Sequence, residues 1–267
     1  MPEGDTVYIT CQRLHRALAG RAVTTFDLRV PTLALADLTG TDTTEVIPRG
    51  KHILMRFSDG QTLHSHLRMD GSWRVGPAAA RPRGRNFEIR ALVGNAEWLA
   101  SGFRLHDLKL VPTAQEASVV GHLGPDLLAS DYDSAEALRR FGEQPDRPIA
   151  EALLDQRLVA GIGNVYKSEL LFLHGVNPWA RVCDVADLAE VLSDAERLLR
   201  GNLGDFNRST TGWRQPGQQY WVYGRAGKAC RRCRGAIQRD EGVGAIGGAP
   251  EERITFFCPH CQHVQAR

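Results

Sequence analysis

Between Thr6 and Ala19, apolar residues fall at Val7, Ile9, Leu14 and Leu18 among polar ones. That is the spacing of an amphipathic helix, and Gly20 ends it. The texture then changes. From Arg21 to Pro112 the chain runs in short β-rich pieces: AVTTFDLRV, HILMRF, QTLHSHL, SWRV, FEIRALV and LKLV. Asp59-Gly60 and Asp70-Gly71 punctuate them as turns, and Pro48 reads as a strand breaker. The pattern predicts an all-β core, a sandwich or a barrel, with the first helix packed on it. Residues 113–134 read as a linker with short helical pieces, GPD and SDYDS being cap or turn material. From Ser134 the period becomes helical, in AEALRRF, PIAEALLD, NVYKSELLFLHG and DVADLAEVLSDAERLLRGNL. A loop, RSTTGWRQPGQQ, then leads to a cysteine-bearing tail. No internal repeat is evident. The organisation expected is a β module over 1–112, a linker over 113–134, a helical module over 135–221 and a metal-clipped tail over 222–267.

Composition narrows the class without deciding it. The 267 residues are 42% hydrophobic and 24% charged, which suits globular domains with cores of their own. No apolar run is long enough to span a bilayer, and no basic-then-apolar leader opens the chain. A cytoplasmic protein with no membrane partner is therefore expected, nucleoid-associated if it binds DNA. Net charge is only +2, but its distribution is uneven. From Val222 to Arg267 there are eight basic and four acidic residues, a local excess of +4. A second basic cluster, RPRGR, runs from Arg81 to Arg85. Local positive surfaces on a near-neutral chain suit a phosphate backbone, and they suit a solvated tail equally.

The cysteines are more specific. Four of the six form CRRC (Cys230, Cys233) and CPHC (Cys258, Cys261), with 24 residues between the pairs. Two such pairs can set four thiolates tetrahedrally around one structural zinc. A disulfide framework is disfavoured in a cytosolic chain. The intervening AIQRDEGVGAIGGAPEERITFF reads as two strands around a Gly-rich tip, so a zinc-clipped β-hairpin carrying Arg253 is expected. Four thiolates leave no open coordination position, so no catalytic metal is expected there. Cys11 and Cys183 stand alone and read as buried or inert thiols.

In LLDQRLVAGIGNVYKSELLF two helices flank a short turn carrying Gly161 and Gly163. Amides at the start of the second helix point toward an anion, Asn164 adds a side-chain donor and Lys167 a nearby charge. A plain helical hairpin with Asn164 as an ordinary cap fits the same residues.

Taken together, these segments carry a resemblance. The PEG start, RGKHIL around Lys51, LHSHLRMDGSW, AGIGNVYKSELLF, VYGRAGKACRRC and RITFFCPHCQ occur in the order seen in the formamidopyrimidine-DNA glycosylase and endonuclease VIII family, and the chain looks closer to the endonuclease VIII branch. The match runs nearly end to end. It implies an α+β protein: an N-terminal β-sandwich with flanking helices, a helix–two-turn–helix domain and a zinc-bound β-hairpin, acting as a monomer on damaged DNA. Duplex DNA is the first substrate to consider, with single-stranded and bubble DNA open.

The resemblance also implies roles. Pro2, exposed as the N-terminus once Met1 is removed, would attack C1′ of a damaged deoxynucleotide. An α-amine has an ordinary pKa of about 7.7–8.0, so a usable fraction is unprotonated at neutral pH. The cationic iminium then acidifies the C2′ proton and permits elimination of the 3′ and then the 5′ phosphate. Glu3 would protonate the ring oxygen as general acid. Lys51 matches the family's β-hairpin lysine, expected to contact a phosphate next to the lesion and to assist catalysis, and Asn164 and Arg253 match the other phosphate-gripping positions. Base flipping leaves a gap for wedge side chains from Arg68, Met69 and Asp70, of which Met69 is the slim apolar one. The family's usual acid at the sixth position is Thr6 here, with Asp5 before it. Nothing is carried over onto SGFRLHD, and RSTTGWRQPGQQYW lacks a purine-covering pattern, which favours oxidised pyrimidines or abasic sites. Two readings compete with a glycosylase and abasic-site lyase. One is a catalytically weak or silent binder of damaged DNA, which leaves Pro2-Glu3 unexplained. The other is a zinc-ribbon accessory protein, which leaves the first hundred residues unexplained.

Overall fold

The computed structural model describes residues 2–82, 84–204, 206–241 and 254–263. Two compact units divide the chain, Met1–His122 and Leu123–Arg267.

In the first unit the β-rich pieces form two antiparallel sheets. The strands are β1 (Arg21–Ala22), β2 (Thr25–Leu28), β3 (Asp42–Arg49), β4 (His52–Phe57), β5 (Gln61–His66), β6 (Ser72–Pro77), β7 (Ile89–Gly94), β8 (Trp98–Phe103) and β9 (Asp107–Pro112). One sheet has the order β1-β3-β4-β5-β9 and the other β2-β7-β8-β6. Their inner faces share one core. Val46, Met55, Phe57 and Leu63 of the first sheet pack with Phe26, Ala91, Val93 and Ala100 of the second. Phe26 and Phe57 meet edge to face with centroids 5.7 Å apart. The arrangement is therefore a sandwich.

Helix α1 (Gly4–Leu18) adds Val7, Cys11, Leu14 and Leu18 to the same core. It is fastened near its C-terminal end. Val46 N donates to His15 Nδ1 at 3.1 Å, and Asn95 Nδ2 donates to the Ala17 carbonyl at 2.9 Å. The helix begins two residues before the apolar pattern does, because Gly4 and Asp5 carry no apolar side chain to mark it.

Two strands escaped the pattern. In β3, Thr-Thr-Glu and Pro48 mask the alternation. However, β1 reaches only Asp42 and Thr43, so Pro48 lies on an edge, where a missing ladder donor is tolerated. In β8, the small residues Ala100, Ser101 and Gly102 carry weak strand propensity, yet β6 and β7 pair with it on both sides.

The second unit is helical: α3 (Ser134–Gly142), α4 (Ile149–Leu154), α5 (Asn164–Leu173) and α6 (Leu188–Gly201), preceded in the first unit by the short α2 (Ala117–Val120). Asp133 and Asp187 cap α3 and α6 by accepting from the backbone N–H of Glu136 and Glu190, each at 2.9 Å. From Asn164 to Phe172 every residue of α5 is buried. In the tail, β10 (Gln238–Asp240) and β11 (Thr255–Phe257) pair antiparallel, as the hairpin reading expects. Arg253 lies outside the described residues. Of the lone thiols, Cys11 is buried and Cys183 exposed. No helix among the described residues is long and apolar enough to cross a membrane.

Candidate functional site

In the first unit the candidate residues sit on elements that α1 braces, since that helix packs on β3, β4, β6 and β8. Pro2 is partly buried, and Glu3, the N-cap of α1, is 0% exposed. Asp5 is 2% exposed, and its Oδ1 accepts from Thr6 N at 2.7 Å. Both acids thus belong to the first turn of α1 or its cap position.

Lys51 occupies the second position of the two-residue turn joining β3 to β4. Gly50 precedes it with φ +57°, the left-handed backbone such a hairpin turn needs at its first position. The strands on either side thereby fix where the lysine projects.

The segment after β5 forms a closed turn. Gly71 N donates to the Leu67 carbonyl at 2.8 Å, and a Cβ at Gly71 would collide with that same oxygen. The turn presents Arg68 and Asp70 to solvent and leaves Met69 partly buried. Arg68 has φ +52°, and its N–H donates to His66 Nδ1 at 2.9 Å, which holds the left-handed conformation. Arg68 pairs with Asp107 at 3.3 Å, while Asp70 lies 3.5 Å from both Arg104 and His106. The turn is therefore laced to the β8–β9 connection, the segment to which the sequence assigned nothing. These pairs are half-exposed, and each contributes about 0–1 kcal/mol.

Behind Lys51 and Arg68 lies a histidine cluster that sequence reasoning did not single out. His52 Nδ1 and His64 Nε2 are hydrogen-bonded at 2.7 Å, and the His52 ring lies 4.8 Å from His66 and 5.9 Å from His122, centroid to centroid. Burial, reinforced by the charges of His66, His64 and His122, depresses His52 to about 2. Burial depresses His64 to about 4, and His66, beside Arg68 and Lys51, to about 3. All three rings are neutral at pH 7. The signal in the sequence was the alternation of His64 and His66 on one strand opposite His52 on its neighbour.

In the second unit, α5 brings together the helix junction and the hairpin. The junction is shaped by Gln156, whose Oε1 accepts from Gly161 N at 3.0 Å and whose Nε2 donates to the Ile162 carbonyl at 3.0 Å. Asn164 opens α5. Lys167, expected as a charge near a phosphate, is 1% exposed, and its ammonium points into the hairpin side of the helix. It donates to Asn164 Oδ1 at 2.9 Å, Thr255 Oγ1 at 2.9 Å and the Ile254 carbonyl at 3.2 Å.

Glu169, also missed, is 0% exposed. Its carboxylate accepts from the backbone N–H of Trp221, Val222 and Tyr223 at 2.7, 2.8 and 2.8 Å and from the Thr210 hydroxyl. Burial pushes its pKa up against the pull of those four donors. Asn202 fastens the other end of this segment, accepting from Ser209 N at 2.8 Å and donating to the Ser209 carbonyl at 2.9 Å. Between the anchors, Trp213 stands 48% exposed with the Arg231 guanidinium 5.6 Å from its ring centroid.

The sulfur atoms of Cys230, Cys233, Cys258 and Cys261 all lie within 4.8 Å of one another. A tetrahedral metal with metal–sulfur bonds of about 2.3 Å would hold sulfurs about 3.8 Å apart, and the Cys230–Cys261 and Cys233–Cys258 separations are 3.9 and 3.4 Å. The donor set fits a closed four-sulfur site. Arg232 secures the knuckle to α5, donating to the Phe172 carbonyl at 3.0 Å and stacking over the Phe172 ring at 4.5 Å.

Residues 1–105 match the formamidopyrimidine-DNA glycosylase N-terminal domain, and residues 123–204 match the H2TH domain of the same glycosylase. The chain belongs to the formamidopyrimidine-DNA glycosylase and endonuclease VIII family. Its relatives place it in the endonuclease VIII branch. It is 50% identical over 265 residues to a probable endonuclease 8 2 of Streptomyces coelicolor, covering 98% of this chain and 94% of that one. It is 43% identical to the DNA-(apurinic or apyrimidinic site) lyase Nei2 of Mycolicibacterium smegmatis, covering 98% and 99%. Among solved structures, the complex of wild-type Lactococcus lactis Fpg (MutM) with DNA containing N7-benzyl-Fapy-dG is similar with a TM-score of 0.80 at 25% identity, covering 98% of this chain and 100% of that one. Family membership therefore extends across both units.

The depressed histidines give a pH dependence of stability. Their folded values lie below the ordinary 6.5, so between pH 6.5 and about 4 the unfolded chain binds protons that the folded chain refuses. Stability falls as pH falls, by at most about 1.4 kcal/mol per pH unit for each histidine. Thermal unfolding at pH 7.5, 6.5 and 5.5 is expected to show a lower midpoint at pH 5.5, with a shallower drop in His64→Gln. A second prediction concerns Glu169→Gln, which turns one carboxylate oxygen into a donor facing a backbone donor. A loss of about 2–3 kcal/mol in urea unfolding is expected, with faster hydrogen exchange at Trp221, Val222 and Tyr223.

Proposed function

We propose that the protein is a bifunctional DNA glycosylase and abasic-site lyase of base excision repair, removing oxidised bases, pyrimidines foremost, through a covalent intermediate on Pro2. With Met1 removed, the secondary amine of Pro2 attacks C1′ of the flipped nucleotide and the bond from C1′ to the base breaks. Glu3 delivers a proton to the ring oxygen, the sugar opens, and an iminium joins Pro2 to C1′. Loss of the C2′ proton then expels the 3′ phosphate by cleavage of the C3′–O bond. A second elimination expels the 5′ phosphate, and water hydrolyses the remaining imine to free the amine.

The observation that carries this reading is Glu3 itself, a fully buried acid at the N-cap position of α1 directly after Pro2. A catalytically silent binder leaves this acid beside Pro2 without a chemical role. Lys51 on its fixed turn and Asn164 at the start of α5 suit phosphate contacts, which position without reading sequence. Arg253 is assigned the same role from the sequence alone. Met69, backed by the closed turn from Leu67 to Gly71, suits the wedge that fills the space of the flipped base, with Arg68 beside it. Relatives named as endonuclease 8 and as an abasic-site lyase align over 98% of the chain, which supports the same reaction class. The four-cysteine cluster suits one structural zinc, which would hold β10 and β11 together. The protein is read as a cytoplasmic, nucleoid-associated monomer, in keeping with a damaged-DNA substrate.

Borohydride trapping on duplex DNA bearing an abasic site tests the reading. A covalent protein–DNA adduct is expected with the processed protein and is expected to vanish when residues are fused ahead of Pro2. No adduct with processed protein contradicts the enzyme.

A further inference from the structure

The loop between the anchors at Asn202 and Glu169 is closed at its base. Thr210 N donates to the Gln219 carbonyl at 2.9 Å, and the Ser209 hydroxyl donates to the Trp213 carbonyl at 2.8 Å. Farther out the chain turns through Gly217, whose φ of +78° is left-handed. Two carbonyls of this outer stretch are met by one side chain from a later part of the sequence. Arg231 donates through Nη2 to the Gly217 carbonyl at 2.9 Å and through Nε to the Tyr220 carbonyl at 3.2 Å. The same guanidinium lies over the Trp213 ring, 5.6 Å from its centroid. A guanidinium can hold two carbonyls and a ring together, because its donors form a planar fork whose faces stay open; an ammonium supplies charge without the fork.

The position of Arg231 is set by the cysteines. Arg231 and Arg232 are the two residues between Cys230 and Cys233. Within that turn Arg232 N donates to Cys230 Sγ at 3.4 Å, and Arg234 N donates to the Cys230 carbonyl at 3.1 Å. A metal held by all four sulfurs requires Cys230 and Cys233 to converge on one point, which leaves the turn between them little freedom. Arg232 ties this turn to α5 through the Phe172 and Leu173 carbonyls, at 3.0 and 3.2 Å. Arg231 ties it to the loop instead.

We propose that Arg231 is a positioning residue that makes the conformation of loop 211–220, and with it the exposed indole of Trp213, depend on a metal in the four-cysteine site. With the metal bound, the Cys230–Cys233 turn is closed and Arg231 holds the outer loop. With the metal removed, the turn loosens and the outer loop is released, while Glu169 and Asn202 keep its base. This rests on the reading of the cysteine cluster as a metal site.

Hydrogen exchange of the full chain, with metal content measured alongside, tests it on the wild type and Arg231→Ala, each as purified and after treatment with a chelator. Chelation of the wild type is expected to speed exchange over 211–220 about tenfold, and Arg231→Ala to do the same with its metal retained. Chelating Arg231→Ala is expected to add little over 211–220, because both changes remove one link, although exchange at Thr255–Phe257 still rises. Wild-type exchange over 211–220 in metal-bound Arg231→Ala overturns the proposal. A further rise there when Arg231→Ala is chelated also overturns it, since the metal would then reach the loop by another route. So does free exchange along Leu188–Gly201 in the chelated wild type, where the metal would be supporting the whole unit. Trp213 emission, taken as the difference from Trp213→Phe, is expected to change on chelation in the wild type and not in Arg231→Ala; emission indifferent to the metal in the wild type counts against the coupling. Should Arg231→Ala lose its metal, Arg231→Lys takes its place, keeping the charge without the fork. Loop exchange as fast as in the chelated wild type is expected of it, and wild-type exchange contradicts the two-carbonyl grip. If the purified wild type carries no metal, the reading of the cysteine cluster has failed and the coupling with it. Metal present beside an indifferent loop sinks the coupling alone.

Discussion

A buried charge is kept only where several partners converge on it, and the second unit is organised around two such charges on one helix. Glu169 gathers three consecutive backbone amides and a hydroxyl, and Lys167 gathers a side-chain amide, a hydroxyl and a carbonyl. Truncating one side of either cluster leaves an uncompensated charge, a change that costs about 3–5 kcal/mol. The partners come from segments distant in sequence: residues 210 and 221–223 for the carboxylate, 254–255 for the ammonium. Folding α5 into the core therefore fixes the loop and the hairpin strand together. Any contact made by those segments inherits that rigidity, which is what a site working on a flipped nucleotide requires.

The first unit solves a different problem. Its proposed nucleophile is next to the end of the chain, where residues ordinarily fray. Helix α1 starts at the fourth residue, packs its apolar stripe into the sandwich core and is fastened to Val46 and Asn95. Pro2 is thus one residue from a helix that cannot move without opening the core. The buried Glu3 belongs to the same device, since the cap of a packed helix is a fixed point. The Lys51 turn and the Leu67–Gly71 turn hang from strands of the sheets on which that helix rests.

Much of this was legible before the structure. The 3.6-residue spacing of Val7, Leu14 and Leu18 gave α1 its inner face, and the paired cysteines gave the metal knuckle, because both signals are local and periodic. Asn164 at the start of α5 was legible from the Gly-rich junction. What the sequence concealed depends on tertiary pairing. Pro48 hid β3 because its tolerance rests on how far β1 extends. Ala100, Ser101 and Gly102 hid β8 because its two partners, not its propensity, make it a strand. Lys167 and Glu169 read as ordinary charges on a helix. Only the burial of every side of α5 turned them into internal fasteners. The histidine cluster was hidden for a related reason, since His52, His64 and His66 become neighbours only once β4 and β5 are in register.

The proposed chemistry turns on which atom becomes covalently joined to the sugar. Two amines are candidates in the first unit, the α-amine of Pro2 and the side chain of Lys51 on its turn. Mass spectrometry of the borohydride-reduced adduct, after tryptic digestion and removal of the DNA to the modified sugar, distinguishes them directly. The added mass is predicted on the N-terminal peptide, residues 2–13, at Pro2. Its appearance on the peptide containing Lys51 would contradict the central claim.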